Sequence, residues 1–421
     1  MVRSIGLAIL GCGTVGSGLV KVLGRKGLAE VDIELRHILV RDTSKPRPDH
    51  IPASLLTADP DAVLGDPSVD VVVEVMGGSE PAYQYVIRAL EARKHVVTAN
   101  KELMARHGPE LLELAGKRGV ELRYEASVGG GMPIVRLLHQ DLSANEIVSV
   151  EAIINGTSNY ILTRMETEGW SLERAVAQAQ TLGYAEPDPS GDVGGHDAVY
   201  KLCILLHLAF GLKADPAEIY REGIEGVAPE DFRQAARLGY VVKPLALARK
   251  REGGIAAGVY PALVSREHPL SRVADVFNGV RIQGDLVGSL FISGRGAGAE
   301  PTASALMADV LAVARQVMAG KVVFWPYRRA EGLRVVPFAE AHSRYFIRLR
   351  ISEAPDLLGR VTGVFSRFGV QVSSMLREPS ASQQHLTVLT GKEREGRHRA
   401  VLEALTRLEG VTVDSALRVV D

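Results

Sequence analysis

The stretch Gly183-Tyr184-Ala185-Glu186-Pro187-Asp188-Pro189, followed by Asp192, Gly194, Gly195, His196, Asp197 and Lys201, gathers carboxylates and one amine around two prolines. The prolines forbid helix across the first part, so the loop is stiff and presents its carboxylates at fixed angles. Asp197 and Lys201 then fall four residues apart, on one face of the next helix. The rest of that helix carries Val199, Leu202, Ile204, Leu205 and Leu206, which places Lys201 at a sheltered edge. Burial pulls a lysine pKa down and a nearby carboxylate pushes it back up; an ammonium tuned in this way can deliver a proton. A helix-stabilising ion pair is the bland alternative. His196 reads as a loop residue, since no second histidine sits at metal-ligand spacing.

Two further segments offer ligand chemistry. Gly11-Cys12-Gly13-Thr14-Val15-Gly16 is a G-x-G-x-x-G run placed between a strand and a helix. The first glycine makes the turn, the second lets the backbone approach a pyrophosphate, and the third packs helix on strand. The helix start adds free N–H groups and a positive dipole end. A cofactor choice follows at the end of the second strand, where an acid would grip the ribose of NAD and a base the 2′-phosphate of NADP. Val40-Arg41-Asp42 stands there, with Lys45 and Arg47 after it. Arg41, nearest the strand end, favours NADP, while Asp42 leaves NAD open.

Thr98-Ala99-Asn100-Lys101 follows an apolar strand, at the carboxyl edge where open α/β sheets bind ligands. Lys101 can meet the nicotinamide side of a cofactor or the substrate there; a lysine on a surface turn is the plainer reading. Glu125-Ala126-Ser127-Val128-Gly129-Gly130-Gly131-Met132-Pro133 bends sharply after a strand. Its carbonyls could ring a hard monovalent cation, and an ordinary turn is the simpler alternative.

The elements that must position these residues fall into three groups. Over residues 1–140, strand candidates Ile5–Leu10, Ile33–Val40, Val69–Val75, His95–Thr98 and Val120–Tyr124 alternate with helical periodicity at Val15–Arg25, Tyr83–Ala92 and Gly108–Arg118. That alternation predicts an α/β, Rossmann-type parallel sheet covered on both faces. Residues 141–300 read as a mixed α+β domain for substrate binding and dimerisation. Its strands are expected at Glu146–Ile154, Gly258–Val264, Phe277–Ile282 and Ser289–Ser293, its helices at Ser158–Glu168, Leu172–Leu182 and His196–Phe210. A helix over Thr302–Met318, within residues 300–328, is expected to pack back on the first domain, before an Arg-rich connection, Arg328–Arg344. Residues 343–421 read βαββαβ, a ferredoxin-like split unit.

Composition narrows the class. The chain has 421 residues, 46% apolar and 24% charged, which suits a folded protein of two or three domains. Lys plus Arg is 49 against 50 for Asp plus Glu, so no basic field exists to hold a nucleic acid. Cys12 and Cys203 cannot staple a fold, which suits a reducing cytoplasm. Ile9-Leu10-Gly11-Cys12 imitates a lipoprotein box, but its apolar core Ile5–Leu10 is too short for a signal peptide. No apolar stretch is long enough to span a membrane.

Taken in order along nearly the whole chain, these motifs resemble homoserine dehydrogenase, in the monofunctional form that ends in an ACT domain. The resemblance rests on the glycine loop, Val75-Met76-Gly77-Gly78, Thr98–Lys101, Glu125–Pro133 and Asn155-Gly156-Thr157-Ser158-Asn159-Tyr160-Ile161-Leu162. It continues through Gly183–Lys201, Gly294-Arg295-Gly296-Ala297-Gly298 and Pro301-Thr302-Ala303-Ser304. It implies NAD(P)H-dependent reduction of L-aspartate 4-semialdehyde to L-homoserine, with Lys201 as proton donor and Lys101 beside cofactor and substrate. Glu186 and Asp197 would hold homoserine, Glu186 by its ammonium group. Gly77, Gly183 and Gly298 would contact the cofactor with the glycine loop. The carbonyls of Glu125, Val128, Gly130 and Met132 would match a sodium site. Gly191 stands where some members carry a second Asp beside Asp192, which questions that neighbour's role. The ACT-like tail implies a threonine effector at the turn Glu353-Ala354-Pro355-Asp356-Leu357-Leu358-Gly359, though Leu358 replaces the usual proline there. A homodimer or homotetramer is expected.

Two other classes remain to be weighed. A semialdehyde-oxidising dehydrogenase needs a thiolate nucleophile, and neither Cys12, in the phosphate loop, nor Cys203, in an apolar helix, suits that part. A nucleotide- and amino-acid-sensing regulator would need no proton donor, so the set Lys101, Glu186, Asp197 and Lys201 argues against it. An attached aspartate kinase is not expected, since no residues precede the nucleotide domain.

Overall fold

The computed structural model describes residues 4–25, 31–320, 330, 332–352, 356–379 and 384–420. Parts of three expectations therefore lie outside the described residues: 321–328 of the packing-back segment, 328, 329 and 331 of the Arg-rich connection, and 353–355 of the effector turn.

Among the described residues the first sheet has six strands, all parallel. In space they run Leu56–Thr57, Ile33–Leu39, Ile5–Leu10, Val71–Glu74, His95–Thr98 and Leu122–Arg123. This 3-2-1-4-5-6 order reverses direction beside the first strand, where such sheets open a ligand crevice. Every residue of Ile5–Leu10 is buried, as a strand covered on both faces requires. Leu19, Val20, Leu306, Val310 and Val313 cover one face; Val86, Leu90, Leu103 and Leu111 cover the other. The helix Ala299–Met318 thus packs against Thr14–Leu23, across the nucleotide sheet.

One helix differs from its sequence reading in a way that matters. Gly108–Arg118 is only the second part of Lys101–Arg118, which runs on through Pro109. The Asn100 side chain accepts from the Leu103 N–H at 3.1 Å and starts the helix early, so Lys101 is its first residue.

Among the described residues the second sheet has eleven strands. Its main path runs Gly288–Arg295, Phe277–Gly284, Ile147–Ile153, Tyr240–Arg251, Gly254–Ser265, Val411–Val420, His342–Ile351, Gln384–Thr390 and Val372–Pro379. The helix His196–Phe210 lies on it, Leu202 and Leu205 sharing a core with Val150, Ala152, Ala246, Ala248, Val280 and Ile282. The strand Tyr240–Arg251, the helix Pro229–Arg237 and the short strand Tyr220–Arg221 were not anticipated from the sequence.

The last four strands on that path, with helices Leu357–Arg367 and Glu395–Thr406, make the βαββαβ unit in ferredoxin-like order. Its final strand pairs in parallel with Gly254–Ser265, Ala262 opposite Arg418 and Val264 opposite Val420. One continuous sheet therefore joins the C-terminal unit to the middle of the chain. Among the described residues no helix is long and apolar enough to cross a membrane.

Candidate active site

The glycine loop has the three properties its spacing predicts. Gly11 turns with φ +102°, and a Cβ there would meet the Val75 carbonyl at 2.8 Å. A Cβ on Gly16 would strike the Gly11 carbonyl, so helix and strand close only on glycine. Gly13 has open space above it, where a pyrophosphate can come down onto the backbone. Thr14 and Val15 open the helix behind. Gly77 sits on the turn after Val71–Glu74, at the same carboxyl edge.

The turn after the second strand shows which charges face this loop. Asp42 folds back, its carboxylate accepting from the Ser44 N–H at 2.8 Å and hydroxyl at 2.6 Å. Those bonds hold it below the usual carboxylate range. Arg47 donates to the carbonyls of Asp42 and Lys45, both at 2.8 Å, and its guanidinium lies beside Cys12. Arg41 is exposed at the strand end. Sequence reading weighed Arg41 most; the structure brings Arg47 to the phosphate loop.

Beneath the carboxyl edge, fully buried Glu74 ties two ligand-bearing turns together. It accepts from the Met76 N–H at 2.8 Å and the Thr98 hydroxyl at 2.6 Å, while Asn100 donates to the Gly78 carbonyl at 2.7 Å. Lys101 projects from this platform.

The lysines of the two sheets meet at one carboxylate. Lys101 pairs with Asp197 Oδ1, and Lys201 Nζ donates to Asp197 Oδ2 at 2.7 Å and to the Ile154 carbonyl at 2.8 Å. The Lys201 side chain is 12% exposed and that of Lys101 45% exposed, so Lys101 is the more accessible of the two. Burial alone would raise the Asp197 carboxyl, but Lys201 and Lys101 hold it far below its usual range. Burial pulls Lys201 below an ordinary lysine; Asp197 opposes that and Lys101 adds to it. Lys101 is raised, since Asp197, with Asp192 and Glu186 further off, outweighs its desolvation.

The Asn155 block, quoted above only as a motif, is the scaffold of the proline loop. Thr157 donates to the Tyr184 carbonyl at 2.8 Å and Ser158 to the Asp192 carbonyl at 2.9 Å. Asn155 Nδ2 donates to Asp192 Oδ1 at 2.7 Å and to Asp197 Oδ2 at 2.8 Å. Burial raises the Asp192 carboxyl, and the Asn155 amide offsets part of that. Glu186 is exposed on the loop, its backbone pinned through Gln180 Nε2 at 3.2 Å. Gly183 turns out of the helix Leu172–Thr181, and Gly298 caps the helix packed on Thr14–Leu23. Sequence reading missed Asp192 as a partner of Asn155, because a contact between strand end and loop leaves no periodicity.

The Glu125–Pro133 loop is folded against Gly294–Gly298. Gly130 has φ +60°, and a Cβ there would strike the Gly296 carbonyl. Among the described residues no hydrogen-bond donor reaches the buried carbonyls of Val128 and Gly130, whereas that of Met132 accepts from the Ile134 N–H at 2.9 Å. The Glu125 carboxylate is turned to the N–H groups of Val135 and Arg136, at 2.7 and 3.0 Å. Burial pushes the Cys203 thiol up to about 12 and that of Cys12 up as well, against the pull of Arg47 on Cys12, which disfavours a thiolate at either.

Known proteins match this arrangement over its length. Residues 133–311 match the homoserine dehydrogenase family and residues 11–125 its NAD-binding domain. A homoserine dehydrogenase of Synechocystis sp. is 39% identical, covering 99% of both chains. The crystal structure of a homoserine dehydrogenase from Thiobacillus denitrificans superposes with a TM-score of 0.93 at 36% identity, covering 100% of this chain and 99% of that one. A hyperthermophilic archaeal homoserine dehydrogenase in complex with NADPH superposes with a TM-score of 0.64 at 28% identity, over 75% of this chain and 98% of that one. By these matches the chain, with its two lysines on one carboxylate and its glycine loop after the first strand, belongs to the homoserine dehydrogenase family of NAD(P)-dependent oxidoreductases in amino-acid biosynthesis.

Proposed function

We propose that Lys201 donates the proton when aspartate 4-semialdehyde is reduced to homoserine, and that Asp197 holds it in place and charged, with Lys101 on the other oxygen of the same carboxylate. The carrying observation is the pair of bonds from Lys201 to Asp197 Oδ2 and the Ile154 carbonyl. An ammonium has three N–H donors, so one remains for a substrate oxygen. Lys101, more exposed, meets the same oxygen from the cofactor side. Asp197 already accepts from Lys101, Lys201 and Asn155, so Glu186, exposed at the loop, is the freer carboxylate for the substrate ammonium. When bound, the reduced nicotinamide supplies hydride to the aldehyde carbon.

The preferred cofactor on this reading is NADP. Arg41 and Arg47 stand ready for a 2′-phosphate, and Asp42 is turned to Ser44. A sodium ion suits the carbonyls of Glu125, Val128, Gly130 and Met132, two of them buried with no described donor. A hard cation supplies what such oxygens otherwise lack. The C-terminal unit fits an ACT role with threonine as effector, and unchanged NADPH consumption on adding threonine would remove that part. Self-association as a dimer or tetramer in the cytoplasm belongs to the same reading. Exposed Phe277, Leu286, Val287 and Phe291 on the outer hairpin support it.

NADPH absorbance followed with aspartate semialdehyde tests the assignment of Lys201. The Lys201→Ala variant should lose about 10²–10⁴-fold in kcat with NADPH affinity kept. Equal loss of both would make Lys201 structural.

A further inference from the structure

We propose that Asn155 is a positioning residue of this reaction, its one side-chain amide holding the carboxylates of Asp192 and Asp197 together beneath the two lysines. The inference rests on the reading of Lys201 as proton donor and adds to it a group that touches neither substrate nor cofactor.

Asn155 follows directly on the strand end whose Ile154 carbonyl accepts from Lys201 at 2.8 Å. Its own side chain uses every hydrogen-bonding group it has. One Nδ2 hydrogen goes to Asp192 Oδ1 at 2.7 Å, the other to Asp197 Oδ2 at 2.8 Å, and Oδ1 accepts from the Ser158 N–H at 2.7 Å. The last bond caps the helix Gly156–Glu168, so the cap fixes the direction in which both donors point. Asn155 is buried, and water has little part in these contacts.

Two neighbouring carboxylates repel, and one of them tends to keep its proton. The charged groups facing this pair are Lys101 and Lys201, each from its own helix, with Glu186 on the proline loop acting on Lys101. The Arg221 guanidinium holds the Gly194 carbonyl close by. Two amide hydrogens between the carboxylates let both stay ionised without adding a third cation. Asp192 then keeps the loop closed over the site, and Asp197 keeps Lys201 aimed.

Serine caps a helix about as well as asparagine but carries no amide. Asn155→Ser therefore separates the two jobs. It should lower kcat by about 10- to 100-fold and move the acid limb of kcat/KM up by about one pH unit, with NADPH affinity nearly kept and a fall in Tm from the lost bonds to two carboxylates. In an Asp192→Asn background the same substitution should move the acid limb much less, because one of the two repelling charges is gone. Asn155→Asp, which keeps shape and cap but adds a third carboxylate, should be worse than serine. An Asn155→Ser enzyme with unaltered kcat and pH profile overturns the proposal. So does a loss of activity that tracks the fall in Tm with the profile unmoved, since that is a cap and nothing more. Lys201→Ala separates the layers: full activity there removes the reading of Lys201, whereas an inactive Lys201→Ala beside a normal Asn155→Ser removes only the role of Asn155.

Discussion

Lys101 and Lys201 share Asp197, one oxygen each, although their helices belong to different sheets. The helix that starts at Lys101 thus brings a second cation to a carboxylate that already holds one. The pair keeps Asp197 ionised, and Asp197 keeps a buried Lys201 charged against both desolvation and the repulsion of Lys101.

Removing that carboxylate charge has a definite sign. Asp197→Asn keeps the shape but leaves desolvation and Lys101 unopposed, so the Lys201 pKa falls further. A proton donor must hold its proton, so the alkaline limb of the reductive kcat should move to lower pH, by about one unit or more. An unmoved alkaline limb would show that another group titrates there.

The cofactor turn allows a second test. Charge-assisted bonds to phosphate are worth about 1.5–3 kcal/mol, so removing one costs about tenfold or more in affinity. Arg47→Ala, and Arg41→Ala beside it, should raise KM for NADPH by about that factor and leave KM for NADH nearly unchanged. If the ratio of the two KM values stays fixed, the 2′-phosphate is not read here and NAD regains its claim.

Much of this was legible because the relevant signals are local. Ile5–Leu10 is uniformly apolar, Gly11–Gly16 follows it directly, and Asp197 and Lys201 sit at helical spacing. The strand Tyr240–Arg251 was hidden by Lys243 and Pro244, yet Lys243 is buried and donates to the Val273 carbonyl at 2.8 Å. A lysine that finds its acceptor only in the tertiary fold reads from sequence as a surface residue. The bond from Lys101 to Asp197 and those from Asn155 to two carboxylates are long-range in the same way. The early start of the helix at Lys101 could have been found, since Asn100 is a good N-cap residue. The continuity of the second sheet could not, because parallel pairing of Ala262 with Arg418 carries no short-range mark.

That continuity makes Arg418 the test of how the C-terminal unit is attached. Its guanidinium donates to Glu222 at 2.7 Å, to Tyr220 at 3.0 Å and to both oxygens of Glu395 at 3.1 Å, amid the rings of Tyr260, Phe338 and Tyr345. Glu395 is buried, and Tyr345 also donates to it at 2.7 Å. Breaking a buried pair on one side leaves an uncompensated charge, which costs about 3–5 kcal/mol, whereas removing both partners costs far less. Arg418→Met should therefore lower the unfolding free energy by about that amount in a denaturant titration, and adding Glu395→Gln should restore much of it. Truncation at 343 is a poorer probe of regulation, because it strips Phe346, Leu389, Leu417 and Val419 from a core they share with Ile161, Phe232 and Ala235. An Arg418→Met chain as stable as its parent would mean that the shared strand pairing alone, without this buried cation, joins the two parts.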